Sequence, residues 1–422
     1  MLRAERRRQE NTQGCRQAPI AHGFPPENRF GVPCDSRVHL PMPRMGEHGR
    51  TSCRSSRRQP YPAGRSCTPS YPVVIQEIQE LTRHIAQQGI PEEPFLANDF
   101  ICGVLRYTTF AKRDEPRDAM NAITTLDDNW MGQPKSIGAA LLESDGHRAI
   151  VDPGPGSTLE TLRKELRAHG ASVNELDAIL LTHIHLDHAG ATGALVHENP
   201  RLAVYVHKLG APHMIDPSKL LASAARLWPD NLHELFGEMV PVPAQNLRIL
   251  EGGETITLGA RKIAVAYTPG HASHHVSYFE NLEGTAFVGD TTGIRIEGHS
   301  FVMPATPPPD IDLELWAGSF ASILERQPRR LFLTHFGFSE NPAAHLAQFR
   351  DRLHRWMAMT EKILASASSD EAAMASFMNT ARAEVAEHLP ADDVEQYIRT
   401  AGLNLSFLGL ARHARKRTQA AS

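Results

Sequence analysis

The stretch Thr182-His-Ile-His-Leu-Asp-His-Ala-Gly190 decides how this chain is read. It closes Ala178-Ile-Leu-Leu-Thr182, which reads as a buried strand, and it holds the pattern H-x-H-x-D-H. The chain has 22 histidines in 422 residues, so three at fixed spacing arise by chance about 0.06 times, before the aspartate is required. Residues two apart in extended chain project to one side. His183 and His185 therefore present their imidazoles together, and Asp187 and His188 reach a second point close by. Neutral imidazole suits zinc, and carboxylate can ligate or bridge. The motif sits at a strand end, where open α/β sheets place their sites.

Four residues are too few for two ions, and the sequence offers three more. His271 lies in Thr268-Pro-Gly-His271, after the alternating run Lys262–Tyr267. Asp290 lies in Val288-Gly-Asp290, after Thr285–Val288, and His335 in Leu333-Thr-His335, after Leu331–Leu333. Each follows an apolar run of strand length. Four strand ends that carry His and Asp form a constellation, which weighs more than any single match.

Around this centre the pattern predicts alternating elements. Ile137–Leu142 and Ala149–Val151 read as strands joined at Asp145-Gly146, a hairpin signal. Ser157-Thr-Leu-Glu160 has the form of a capping box that opens a helix through Leu159, Leu162 and Leu166. A helix near Ala189–Val196, strands at Leu202–Val206 and Val276–Phe279, and a helix over Asp310–Glu325 follow. Beyond His335 the chain reads as three helices, near 342–365, 370–388 and 391–415. Val74, Ile75, Ile78, Leu81 and Ile85 recur at helical spacing further upstream.

The motif, the order of its residues and their flanks resemble the metallo-β-lactamase-fold hydrolases, which include glyoxalase II-like thioesterases, lactonases, β-lactamases and RNase Z-type nucleases. The resemblance covers roughly residues 130–340. Thr268-Pro-Gly-His-Ala-Ser-His-His275 and Pro304-Ala-Thr-Pro-Pro-Pro309 resemble a prokaryotic branch of that superfamily. The resemblance implies an α/β fold, a four-layer αββα sandwich, with an added C-terminal helical segment. The expected organisation is a disordered basic leader (1–70), a short helical extension (71–129), the catalytic domain (130–340) and the C-terminal helical segment (341–422).

By position, the resemblance implies that His183, His185 and His271 hold one metal ion, that Asp187, His188 and His335 hold a second, and that Asp290 bridges them. Asp187 would also handle the proton. The expected cofactor is two divalent ions, zinc first, with iron or manganese as alternatives. The implied reaction is attack of a metal-bridged hydroxide on a small ester, thioester or lactone. Phosphodiester or nucleic-acid cleavage, and persulfide dioxygenation at one iron, are alternatives on the same fold.

Other residues draw weaker readings. His275 is a candidate for orienting a metal ligand from behind, with a hydrogen-bonded core histidine as the alternative. His274 would point the opposite way in a strand, towards solvent. His207, His213 and Asp152 read as structural, Asp152 supporting the metal loop from behind. Thr292, Met303 and Phe336 are candidates for lining the pocket. Arg412, Arg415, Lys416 and Arg417 read as a solvated helix end.

Composition bounds the partners. The first seventy residues hold thirteen Arg, no Lys and five acids, while the whole chain carries −4. The leader is therefore at +8 and residues 71–422 at −12. Nucleic-acid binding usually shows a basic surface, so the expected partner is a small molecule and neither nucleic acid nor membrane. The C-terminal helices are expected either to roof the site or to make a homodimer contact. The leader lacks apolar periodicity and reads as a solvated extension, or as upstream sequence ahead of Met45 or Met120. It contains Cys15, Cys34, Cys53 and Cys67, at spacings that match no compact zinc knuckle. Only Cys102 lies beyond it, which suits a cytoplasmic location.

Overall fold

The computed structural model describes residues 121–296 and 298–421. The leader, its cysteines, Cys102 and the helix expected over Val74–Ile85 lie outside the described residues.

Twelve strands form two six-stranded sheets among the described residues. The first sheet runs in chain order through β1 (Ile123–Asp127), β2 (Gly138–Ser144), β3 (His147–Val151), β4 (Ala178–Leu180), β5 (Ala203–His207) and β6 (Leu247–Leu250). Its first three strands pair antiparallel and the rest parallel. The second sheet contains β7 (Thr255–Leu258), β8 (Arg261–Tyr267), β9 (Val276–Glu280), β10 (Thr285–Phe287), β11 (Arg330–Leu333) and β12 (Gly337–Ser339), also in chain order across the sheet. There β10 and β11 are parallel and the other pairs antiparallel.

Side chains alternate faces along a strand, and here both faces are covered. In β2, Ala140 and Leu142 join the core between the sheets, with Leu180, Val265, Tyr278 and Phe332. Ala139 and Leu141 face the other way, into the core shared with Leu162, Leu166 and Leu195. Burial on both faces explains why these strands read as continuous apolar runs. The helices over the first sheet are α1 (Leu159–Ala168), α2 (Leu186–Ala189), α3 (Thr192–Glu198), α4 (Ala211–Ile215), α5 (Ser218–Ala224) and α6 (Leu232–Phe236). The second sheet is covered by α7 (Leu313–Glu325), α8 (Pro342–Ser366), α9 (Asp370–Ala386), α10 (Ala391–Ala401) and α11 (Leu403–Ala421). Val288, Leu331 and Leu333 share one core with Trp316, Phe349, Phe377 and Phe407. The αββα sandwich with added C-terminal helices is therefore present.

Several local expectations need correction. Residues 123–127 belong to the sheet rather than to a helical extension, because β1 pairs with β2 from Ile123 to Asp127. The helices after residue 341 share a core with the second sheet, so they are part of the same packed body. The segment expected as one helix over 391–415 is two, broken at Gly402, whose φ of 62° is left-handed backbone that only glycine adopts freely. No capping box forms at α1. Ser157 Oγ donates to Leu235 O at 2.7 Å and Thr158 Oγ1 to Pro155 O at 3.1 Å. The helix expected over 310–325 starts at Leu313 because Asp312 accepts from the Glu314 and Leu315 N–H groups, both at 3.0 Å, a cap contribution of about 1 kcal/mol. No helix among the described residues is long and apolar enough to cross a membrane.

Candidate metal centre

The seven expected residues meet at one edge of the sandwich. His183 follows β4, His271 follows β8, Asp290 follows β10 and His335 follows β11. One strand end comes from the first sheet and three from the second, so the site forms where the two sheets converge. His185, Asp187 and His188 arrive on the turn into α2 and on its first residues.

The side chains fall into two groups. In the first, His183 Nε2 and His271 Nε2 each stand 3.0 Å from His185 Nδ1. In the second, His188 Nε2 lies 3.2 Å and His335 Nε2 3.5 Å from Asp290 Oδ1, and His335 Nε2 is 3.3 Å from Asp187 Oδ2. Asp290 faces both groups, because its Oδ2 is 3.5 Å from His271 Nε2. The ligand atoms within each group lie within 4.8 Å of one another.

The ring nitrogens turned away from the centre are held in place. His271 Nδ1 donates to Ala305 O at 3.0 Å, and His335 Nδ1 to Ser136 O at 2.7 Å. His188 Nδ1 lies 2.9 Å from Asp152 Oδ2. The same carboxylate accepts from Thr182 N–H at 2.8 Å, from Thr182 Oγ1 at 2.7 Å and from Thr334 Oγ1 at 2.9 Å. Asp152 thus ties β3, the motif loop and the loop after β11 together, the supporting role that its turn suggests. Such partners fix tautomer and ring orientation at metal sites.

The residues fit a cation. Neutral His185 has one proton and cannot donate from Nδ1 to both neighbouring Nε2 atoms at 3.0 Å, so lone pairs converge in the first group. In the second, His188 Nε2 and Asp290 Oδ1 are buried without a hydrogen-bond partner, which is costly unless an ion or water satisfies them. Burial pushes His183 well below its ordinary range, His185 to about 4, and His271 down. These imidazoles are neutral, as metal ligation requires. Burial also opposes charge on His188 and His335, yet Asp290 and Asp187 outweigh it and raise both. Burial likewise resists ionisation of Asp187 and Asp290. His188 and His335 overcome it, holding Asp187 near 2 and Asp290 well below its ordinary value. The second group thus sets two ionised carboxylates beside two imidazoles, a setting that favours positive charge between them.

The lesser candidates divide. His275 is buried against His183, ring centroids 5.1 Å apart. Its Nδ1 meets Thr268 Oγ1 at 3.0 Å, and its Nε2 has no partner; it contacts no group from which it could orient a ligand by hydrogen bonding. His274 is half-buried rather than turned out to solvent. It stands beside His183 and His185, centroids 6.1 and 5.6 Å away, and lines the cavity over the site. Residues 268–275 precede β9 as a turn, so strand alternation does not govern them. His207 stacks on Tyr267 at 4.6 Å, a structural contact, whereas His213 borders the cavity. Thr292, Met303 and Phe336 are buried and lie outside the cavity lining, where Ile294 and Ala305 appear instead. Arg415 pairs with Asp370 at 2.5 Å and Arg417 with Glu361 at 3.3 Å, so this cluster also joins α11 to its neighbours. Sequence reading missed the cavity wall over residues 209–236, because the short helices there carry no regular apolar period; residues 398–405, on the C-terminal helices, also line the cavity.

Residues 135–335 match the model of the Metallo-beta-lactamase superfamily. A metallo-beta-lactamase fold-containing protein of Sulfurisphaera tokodaii is 32% identical over 173 residues, 39% of this chain and 62% of that protein. A hydroxyacylglutathione hydrolase of Aeromonas hydrophila is 28% identical over 151 residues, 36% of this chain and 44% of that one. The chain spans about half the length of these curated relatives. A solved metallo-beta-lactamase family protein of Thermus thermophilus has the same fold, with a TM-score of 0.53 at 20% identity, over 71% of this chain and 94% of that one. The domain formed by residues 135–335 belongs to the metallo-β-lactamase superfamily.

Proposed function

We propose that the chain is a metal-dependent hydrolase of a carboxylic ester, thioester or lactone, and that the seven converged residues hold two divalent ions, zinc first among them. His183, His185 and His271 would hold one ion and Asp187, His188 and His335 the other, with Asp290 between them. The observation that carries this reading is the placement of the Asp290 carboxylate, with Oδ2 at 3.5 Å from the first group and Oδ1 at 3.2 Å from the second. When bound, such ions lower the pKa of a coordinated water and polarise the substrate oxygen.

The chain's own groups do the rest. Asp152, Ser136 and Ala305 keep the imidazoles aimed at the centre. Asp187 is the most open carboxylate of the site, 26% exposed against 7% for Asp290. It faces the cavity and is ionised, so it is placed to take a proton from attacking water and return it to the leaving group. Support for the ester and thioester class comes from the relatives named hydroxyacylglutathione hydrolases. The −12 charge of residues 71–422 speaks against a polyanionic substrate. A cytoplasmic setting and a small-molecule partner go with this reading.

The test is turnover by the zinc-loaded chain of S-lactoylglutathione, an acyl thioester, a simple lactone and an activated phosphodiester. Hydrolysis of at least one carbonyl substrate, lost in His185→Ala with circular dichroism unchanged, is the expected result. Cleavage of the phosphodiester alone would overturn the ester reading.

A further inference from the structure

Leu209 and Leu227 belong to none of the three apolar cores, and Leu405 is buried at 8% exposure. All three line one cavity of about 610 Å³, whose floor includes Asp187, Asp290 and His335. Leu209 is 47% exposed, and Leu227 is half-buried. Trp228 stands edge-on to Phe236, centroids 4.9 Å apart, and also faces the cavity. These residues come from distant parts of the chain: Leu209 between β5 and α4, Leu227 and Trp228 between α5 and α6, and Leu405 at the start of α11.

Apolar surface left facing water costs about 25 cal/mol per Å² relative to covered surface. Apolar side chains gathered in a concave site beside reactive groups, here with Lys219, Asn231 and Arg399 also on the lining, mark a pocket for a ligand with an apolar part. The continuity of these walls with the metal centre says which ligand: one whose apolar part is attached directly to the bond being broken.

We infer that the substrate is an acyl ester or thioester with an extended apolar acyl chain. The chain lies along Leu209, Leu227, Trp228 and Leu405, and the scissile carbonyl sits over Asp187 and Asp290. Water adds to the carbonyl carbon, the acyl C–S or C–O bond breaks, and one proton passes to the leaving thiolate or alkoxide. The products are a fatty carboxylic acid and a thiol or alcohol. This rests on the hydrolase reading above.

Two measurements on the zinc-loaded full chain test it. The first is kcat/KM across acetyl, hexanoyl and decanoyl thioesters of one thiol. It should rise at least tenfold from acetyl to decanoyl, mainly through KM, and Trp228→Ala and Leu227→Gln should each flatten that slope. The second is tryptophan fluorescence during titration with decanoate, because Trp130 and Trp228 both line the cavity. A saturable change is expected. Acetate, which shares the carboxylate and lacks the chain, should give none. A flat thioester series overturns the inference whatever the fluorescence does. Saturable decanoate binding with no turnover of any thioester, decanoyl ester or lactone upholds the apolar pocket and sinks the hydrolase reading instead.

Discussion

Asp152 accepts four hydrogen bonds from three residues, Thr182, His188 and Thr334, and the proposed metal centre rests on it although it faces no proposed metal position. Asp152→Asn keeps the shape but puts a donor where only acceptors fit. One of the Thr182, His188 and Thr334 contacts must then break, and the His188 ring loses its anchor. Loss of such a partner lowers metal affinity about 10–100-fold. Zinc affinity, measured by competition with a chromophoric chelator, should fall by that factor, with one of the two ions affected more than the other. Equal affinity in wild type and variant would show that His188 is held by something else. His274 belongs to the same scale. Its neighbours His271 and His275 were legible from strand ends and spacing, but its direction was not. Period-two reasoning holds only in extended chain, and residues 268–275 turn.

At the scale of elements, the second sheet has a buried ionic clamp at the end of its hairpin. Arg261 on β8 bonds Glu280 on β9 at 2.7 Å and Glu283 at 2.6 Å, with both Arg261 and Glu280 side chains fully buried. Glu280 also accepts from the N–H groups of Leu282 and Thr285, both at 2.8 Å. Burial alone would raise its pKa, but these N–H groups and Arg261 lower it below the ordinary 4.5. A depressed carboxylate contributes stability that is full above its ordinary value and is lost as pH falls through the folded one. Glu280→Gln should therefore lose about 3 kcal/mol at neutral pH, because it leaves Arg261 undercompensated. In urea unfolding across pH, the gap between wild type and variant should close below 4.5. A gap independent of pH would mean that the loss is one of packing.

The elements also show what the sequence could carry. The strand β2 was legible because burial on both faces leaves a continuous apolar run, β8 because its apolar residues alternate, and the long C-terminal helices because of a sustained helical period. By contrast, β6 is buried only at its two ends, and β12 has three residues. The helices α4 to α6 have five to seven residues each. Elements that short are set by tertiary packing rather than by their own periodicity. The seven residues of the centre were legible because each stands at a fixed place after a strand.

For the whole molecule, the decisive feature is that the C-terminal helices share a core with the second sheet of the sandwich. On α11, a side chain at Gly409 would come within 2.0 Å of Thr306 O and 2.3 Å of Ile311 Cδ1, so the helix lies directly on the segment that borders the cavity. Overpacking at such a contact costs about 1–3 kcal/mol. Gly409→Val should lower the melting temperature and weaken turnover together, since it shifts both α11 and the cavity wall. Unchanged melting would mean that α11 can lift away without consequence. The charge of the chain also resolves at this scale. The near-neutral total combines a basic leader with an acidic remainder, and the proposed centre adds positive charge inside that acidic remainder.

The central claim is that this centre holds two metal ions. Metal content by inductively coupled plasma mass spectrometry, on full-length chain equilibrated with trace zinc and freed of excess, tests it most directly. Two zinc ions per chain, falling to one or none in Asp290→Ala, is the predicted result. No bound metal, or a single iron in wild-type chain from its native host, would contradict the account.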